Sequence, residues 1–153
     1  MFERLPTVAE APASADAAGG VLTTASLTAL LGALDRPDRT AGDDQRIDQI
    51  RLLEQVKAAA AAAQAVLTAD FAGSQRAQQR AAGVPARDLG RGIAAQVALA
   101  RSDSPARGSR HLGLAQALVH EMPATLAALR AGQTSEWRAT LMVRETACLS
   151  VED

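Results

Sequence analysis

The sequence predicts an all-α, multi-helix bundle with one long Ala-rich helix and a disordered N-terminal tail. Three observations carry that expectation. Of the 153 residues, 36 are Ala and 18 are Leu, and with Arg, Gln, Glu, Met and Lys the residues that favour helix reach 90. Against them stand 25 strand formers, with no Tyr at all, which is too thin a stock for a β-sandwich, a barrel or a parallel α/β sheet. Apolar residues recur at three- and four-residue spacing along most of the chain, punctuated by Gly, Pro and capping Ser. The length is that of one ordinary domain, able to bury about two thirds of its unfolded surface.

The elements follow in order. Residues 1–20 read as the tail, because Pro6, Pro12, Gly19 and Gly20 lie among Ala, Ser and acids with no apolar period. A short helix is expected over residues 21–34, with Leu27, Leu30, Leu31 and Leu34 on one stripe. A connector follows to residue 42, carrying Pro37 and Gly42. The helical domain proper is expected from residue 43 to residue 153. It opens with Asp43, Asp44 and Asp48, acids that the helix dipole favours near its N-terminus. Ile47, Ile50, Leu53, Val56, Ala60, Ala63 and Leu67 then recur as the expected buried stripe. Run on to Ala82, the helix is 40 residues and about 60 Å long, twice the width of a small domain. Either Gly73-Ser74 divides it, with Ser74 as a new N-cap, or it projects and needs a partner. A strict coiled-coil seam is disfavoured because Lys57 and Gln64 fall where the heptad needs apolar residues.

Gly83-Val84-Pro85 stops this helix. The next has Ile93, Val97 and Ala100 as its stripe, and Ser104-Pro105 caps and opens a further one carrying Leu112, Ala115, Val119 and Met122. Pro123 starts a helix that Gly132 ends, and Thr134 or Ser135 caps the last, over residues 136–149. Trp137, Leu141 and Cys148 share a face there, and Cys148 reads as a small buried hydrophobe. Ser150, followed by acids and the end of the sequence, has the form of another helix start. The chain is therefore expected to be truncated, a fragment of something longer.

Charge and chemistry narrow the function. The formal charge is −1, so no global field draws the chain to nucleic acid or membrane. Residues 76–110, however, hold seven Arg against Asp88 and Asp103. No export signal is evident and the longest uncharged run, residues 17–34, is too polar and Gly-rich for a membrane span, so a cytoplasmic protein is expected. One Cys excludes an internal disulfide. His111 and His120, nine residues apart on one helix, point in opposite directions, cannot share an ion, and read as helix-surface residues. No nucleophile elbow or phosphate loop occurs, and Gly90-Arg91-Gly92 lacks the third Gly and preceding strand of a dinucleotide fingerprint. No catalytic residue, metal ligand or cofactor is expected in this chain.

Arg76 with Arg80, Arg87 with Arg91, and Arg107 with Arg110 are spaced to line helix faces, and are the candidate contacts to nucleic-acid phosphates. Ala128, Gly132 and Leu141 also fall where a helix-turn-helix wants a small residue, a turn Gly and a core residue. Gln133 and Arg138 stand where it wants apolar ones, and an ordinary helical hairpin explains the pattern as well. Base stacking on single strands has only Phe2, Phe71 and Trp137 to draw on.

The segments GIAAQVALAR (92–101), Ser104-Pro105, LGLAQAL (112–118), PATLAALRAG (123–132), Thr134-Ser135 and Ala139 resemble a helical domain of unknown function. That domain forms the N-terminal part of an expanded repeat family in high-GC Gram-positive bacteria, which usually carries an HNH endonuclease domain further on. The resemblance covers roughly residues 43–153, and Thr134 departs from it, standing where members often have an apolar residue. It implies a non-catalytic accessory domain of an HNH-endonuclease-like protein, with DNA as partner and the metal site beyond this chain. The alternatives are a protein–protein interaction or dimerisation module, pairing through the long helix, and a truncated gene product without activity.

Overall fold

The computed structural model describes residues 20–146. Among the described residues there are six α-helices and no strand, so the all-α expectation holds. The tail (apart from Gly20), Cys148 and the closing helix-start pattern lie outside the described residues. The chain divides into two compact units at Ala41–Gly42.

The first unit holds α1, Thr24–Leu34. Thr23 caps it by accepting from the Ser26 amide at 3.1 Å, while the Ser26 hydroxyl oxygen accepts from the Thr23 amide at 2.9 Å. The helix starts three residues later than the leucine spacing suggests because this reciprocal cap sets its first turn. Leu27, Leu30, Leu31 and Leu34 are all exposed, so the stripe is present without being a core.

The second unit is organised by α2, Asp43–Ala81, a single uninterrupted helix of 39 residues and about 58 Å. Of the two alternatives, division at Gly73-Ser74 or an unbroken helix, the unbroken helix is found. One interior Gly costs about 1 kcal/mol against Ala, which is less than restarting a helix would cost. The buried face also differs from the expected stripe. Ala58, Ala61, Ala62, Ala65, Ala69 and Ala72 are buried, whereas Ile47, Ile50, Leu53, Ala60 and Leu67 are exposed and Val56 and Ala63 are half-buried. Alanine lets neighbouring helices approach closely, so the methyl-lined side of α2 faces the bundle.

At the C-terminus of α2, Gly83 takes φ +77°, its amide donates to Arg80 O, and the Val84 amide donates to Gln79 O at 3.0 Å. That pairing is a Schellman closure, and the left-handed residue explains the Gly. A 3-10 turn at Ala86–Asp88 then leads to α3, Ile93–Ala100. Ile93, Val97 and Ala98 are its buried residues; Ala100, expected inside, is exposed. After it come α4, Pro105–His120, α5, Pro123–Arg130, and α6, Glu136–Thr146. Ser104 caps α4 by accepting from the Arg107 amide, and Pro105 sits at its first position, as expected.

Two apolar clusters hold the unit. In the larger, Ala58, Ala61, Ala62 and Ala65 of α2 meet Ala115 and Leu118 of α4, Leu126 and Leu129 of α5, and Ala139 of α6. In the smaller, Ala72 meets Ile93 and Val97, with Phe71 and Leu112 against them. Helices α3 and α4 cross at Gly108, where a Cβ would overlap the Ala94 carbonyl oxygen and lie 2.7 Å from the Ala98 Cβ. Among the described residues no helix is long and apolar enough to cross a membrane.

Candidate nucleic-acid interface

Four of the six predicted arginines gather at one end of α2. Arg76 and Arg80 lie one turn apart on its last turns, and the loop that carries Arg87 and Arg91 is tied back to the same turns by Gln79. The Gln79 carboxamide oxygen accepts from the Gly90 amide at 2.6 Å, and its nitrogen donates to the Arg91 carbonyl at 3.1 Å. Gly90, at φ +86°, leaves room for Arg76, whose Nε would lie 3.3 Å from any Cβ built there. Asp88 sits between Arg87 and Arg91, at 3.7 and 3.6 Å. Arg80 is exposed.

Arg107 and Arg110 are on a different element, the first turns of α4. Together with Trp137, Leu114 and Thr140 they border a groove of about 340 Å³ between α4 and α6. Arg107 lies 3.5 Å from Asp103, and Arg110 makes no ion pair with a described residue. The seventh arginine of this stretch, Arg101, has a structural role instead. It donates to Glu136 at 2.9 Å, joining the end of α3 to the start of α6.

His111 is a correction. Its position predicts an ordinary helix-surface residue, yet it is half-buried and its Nε2 lies 3.0 Å from the Asp103 carboxylate. Because a carboxylate only accepts, Nε2 carries the proton and donates. That bond, opposed by some desolvation and helped by the Ser104 amide and the Arg107 guanidinium, holds the Asp103 carboxyl below its ordinary range. His120 is exposed, as expected. Trp137 is a second correction: predicted to share a buried face with Leu141 and Cys148, it is 64% exposed. Leu141 is half-buried.

The hairpin of α5 and α6 turns at Gly132, φ +68°, where a Cβ would press within 2.8 Å of the Gln55 side chain. Ala139 is fully buried, Ala128 and Thr134 are half-buried, and Gln133 and Arg138 are exposed. Thr134, Glu54 and Lys57 border a second hollow, which Trp137 also lines.

Spacing alone does not reveal the roles of Gln79, Asp103 or Arg101. The tertiary partners Gly90, His111 and Glu136 are 11, 8 and 35 residues away, and no local pattern announces them. Among the described residues no cluster of three or more His, Cys, Asp or Glu is arranged to hold a metal ion. No family model, curated protein or solved structure matches this chain.

Proposed function

We propose that this chain is the non-catalytic helical accessory part of an HNH-endonuclease-like protein, and that it contacts the DNA backbone through Arg76, Arg80, Arg87, Arg91, Arg107 and Arg110. The observation that carries the DNA contact is how charge is layered at the surface. The side chains of Arg87, Arg91 and Arg107 are 86%, 84% and 65% exposed, while those of Asp88 and Asp103 are only 32% and 21% exposed. The guanidinium groups stand outside their carboxylates, at 3.5 to 3.7 Å. Exposed ion pairs of that length are worth about 0–1 kcal/mol, so a phosphate can replace the carboxylate at little cost. Each phosphate neutralised releases condensed counterions, which makes the contact tight at low salt and indifferent to sequence.

The test is a salt titration of binding to a mixed-sequence duplex. Six such phosphate contacts give a log–log slope of about −5.4. Absence of binding at low salt ends the proposal.

A second reading, a protein-interaction module, is favoured by a separate observation. Ile47, Ile50 and Leu53, at three-residue spacing on the first turns of α2, are 43–66% exposed. Such a stripe fits a helical partner, including a second copy of this chain. Sedimentation over a range of concentrations decides it: mass rising with concentration supports the module, and a monomer throughout counts against self-pairing.

A further inference from the structure

We infer that the groove between α4 and α6 binds an unpaired nucleotide of single-stranded DNA, its base stacked on Trp137 and its phosphate met by Arg107 and Arg110. This rests on the DNA reading above and narrows it to one site and one form of nucleic acid.

The single Trp of the chain carries the argument. A bulky aromatic ring normally repays burial, yet this one is 64% exposed at the rim of a groove. The groove, about 340 Å³, is within the range of clefts that take small ligands. Leu114 and Thr140 give it an apolar lining, and the Thr140 hydroxyl is already spent on the Glu136 carbonyl at 2.8 Å. Its polar groups are mostly cationic or already occupied. Arg110 is without an ionic partner among the described residues, and Arg107 is held by only one long contact. The two acids near the groove already have partners: Asp103 accepts from His111 and the Ser104 amide with Arg107 beside it, and Glu136 pairs with Arg101. The His111–Asp103 and Arg101–Glu136 bonds tie the α3–α4 turn to α4 and the end of α3 to α6.

A π-face open to solvent beside two guanidinium groups, Arg110 without an ionic partner among the described residues and Arg107 in a single 3.5 Å ion pair, is the pairing that holds an unstacked base and its phosphate. A base within a duplex has no free face to offer. An exposed Trp and a nearby Arg would also suit a protein partner, but such an anchor depends on apolar area rather than on an aromatic face, and the test separates the two.

The sole Trp is its own reporter. The full chain is titrated with a twelve-residue oligothymidylate and, separately, with a twelve-pair duplex, following Trp emission and, with labelled DNA, fluorescence anisotropy. Oligothymidylate is expected to quench Trp137, and the duplex to raise anisotropy with little quenching. Trp137→Leu, which keeps apolar bulk and removes the stacking face, is expected to weaken oligothymidylate binding by roughly 5- to 100-fold, and Trp137→Phe by less. The double variant Arg107→Ala/Arg110→Ala is expected to weaken it about tenfold, with helix content checked by circular dichroism. Duplex binding without any oligothymidylate quenching overturns the stacking site and leaves the backbone reading standing, while no anisotropy change with either DNA overturns both. Equal quenching by the duplex, or full affinity in Trp137→Leu, also overturns the site, the latter by showing that the ring serves only as apolar area.

Discussion

Asp103 accepts from the Ser104 amide and from His111, with Arg107 beside it, so its carboxyl titrates lower in the folded chain than in the unfolded one. The folded state therefore binds fewer protons near pH 4. The carboxylate's contribution to stability is complete above about pH 4 and is lost as pH falls through the folded-state value. Asp103→Asn is expected to be less stable than the native chain at pH 6, with the gap closing toward pH 3; urea midpoints at each pH measure it. A parallel gap at every pH would show that the charge is irrelevant. Nearby, Ser102 sits at φ 53° and closes the end of α3 as Gly does for α2 and α5, with the Asp103 amide donating to Ala98 O at 2.8 Å. A side chain in the left-handed region costs about 1 kcal/mol, so Ser102→Gly is expected to raise the thermal midpoint by a few degrees.

At the scale of elements, two helical glycines should respond in opposite directions. Gly73 has open space around its Cβ position and sits inside α2, so Gly73→Ala is expected to stabilise by about 0.5–1 kcal/mol. Gly108 lies where α3 and α4 touch, so Gly108→Ala is expected to destabilise by about 1–3 kcal/mol or more, through overlap with Ala94 and Ala98. Chemical denaturation of both variants side by side provides the check. The same contrast explains how much is legible in the sequence. Helix existence, the Ser104-Pro105 start and the stops at Gly83 and Gly132 follow from local chemistry, and they hold. Which face of α2 is buried does not follow. In the run of residues 58–63 every position is Ala, so hydropathy has no period there, and the larger Ile47, Ile50, Leu53 and Leu67 pull the expectation to the wrong side. Of the candidate site, the spacing of Arg76/Arg80 and Arg107/Arg110 is visible in the sequence. The Gln79 tether that brings Arg91 back to α2, and the exposure of Trp137, depend on tertiary packing.

Across residues 42–146, ten of the fifteen buried apolar residues are Ala, so the transfer free energy rests disproportionately on the five larger ones, Ile93, Val97, Leu118, Leu126 and Leu129. Leu129 is fully buried in the larger cluster, and Leu129→Ala is expected to cost about 2–5 kcal/mol, a large share of the stability of a domain this size. Loss of the cooperative unfolding transition, or a steep drop in its urea midpoint, is the expected readout; a shift under about 1 kcal/mol would place the weight of the core elsewhere.

A helix interface lined with single methyl groups also inverts the usual pattern of damage. In most interiors harm comes from trimming; here, at Ala62, Ala72 and Ala139, each without measurable exposure, harm comes from enlargement. Kinship among descendants of this fold would be recorded less by conserved oiliness than by conserved smallness.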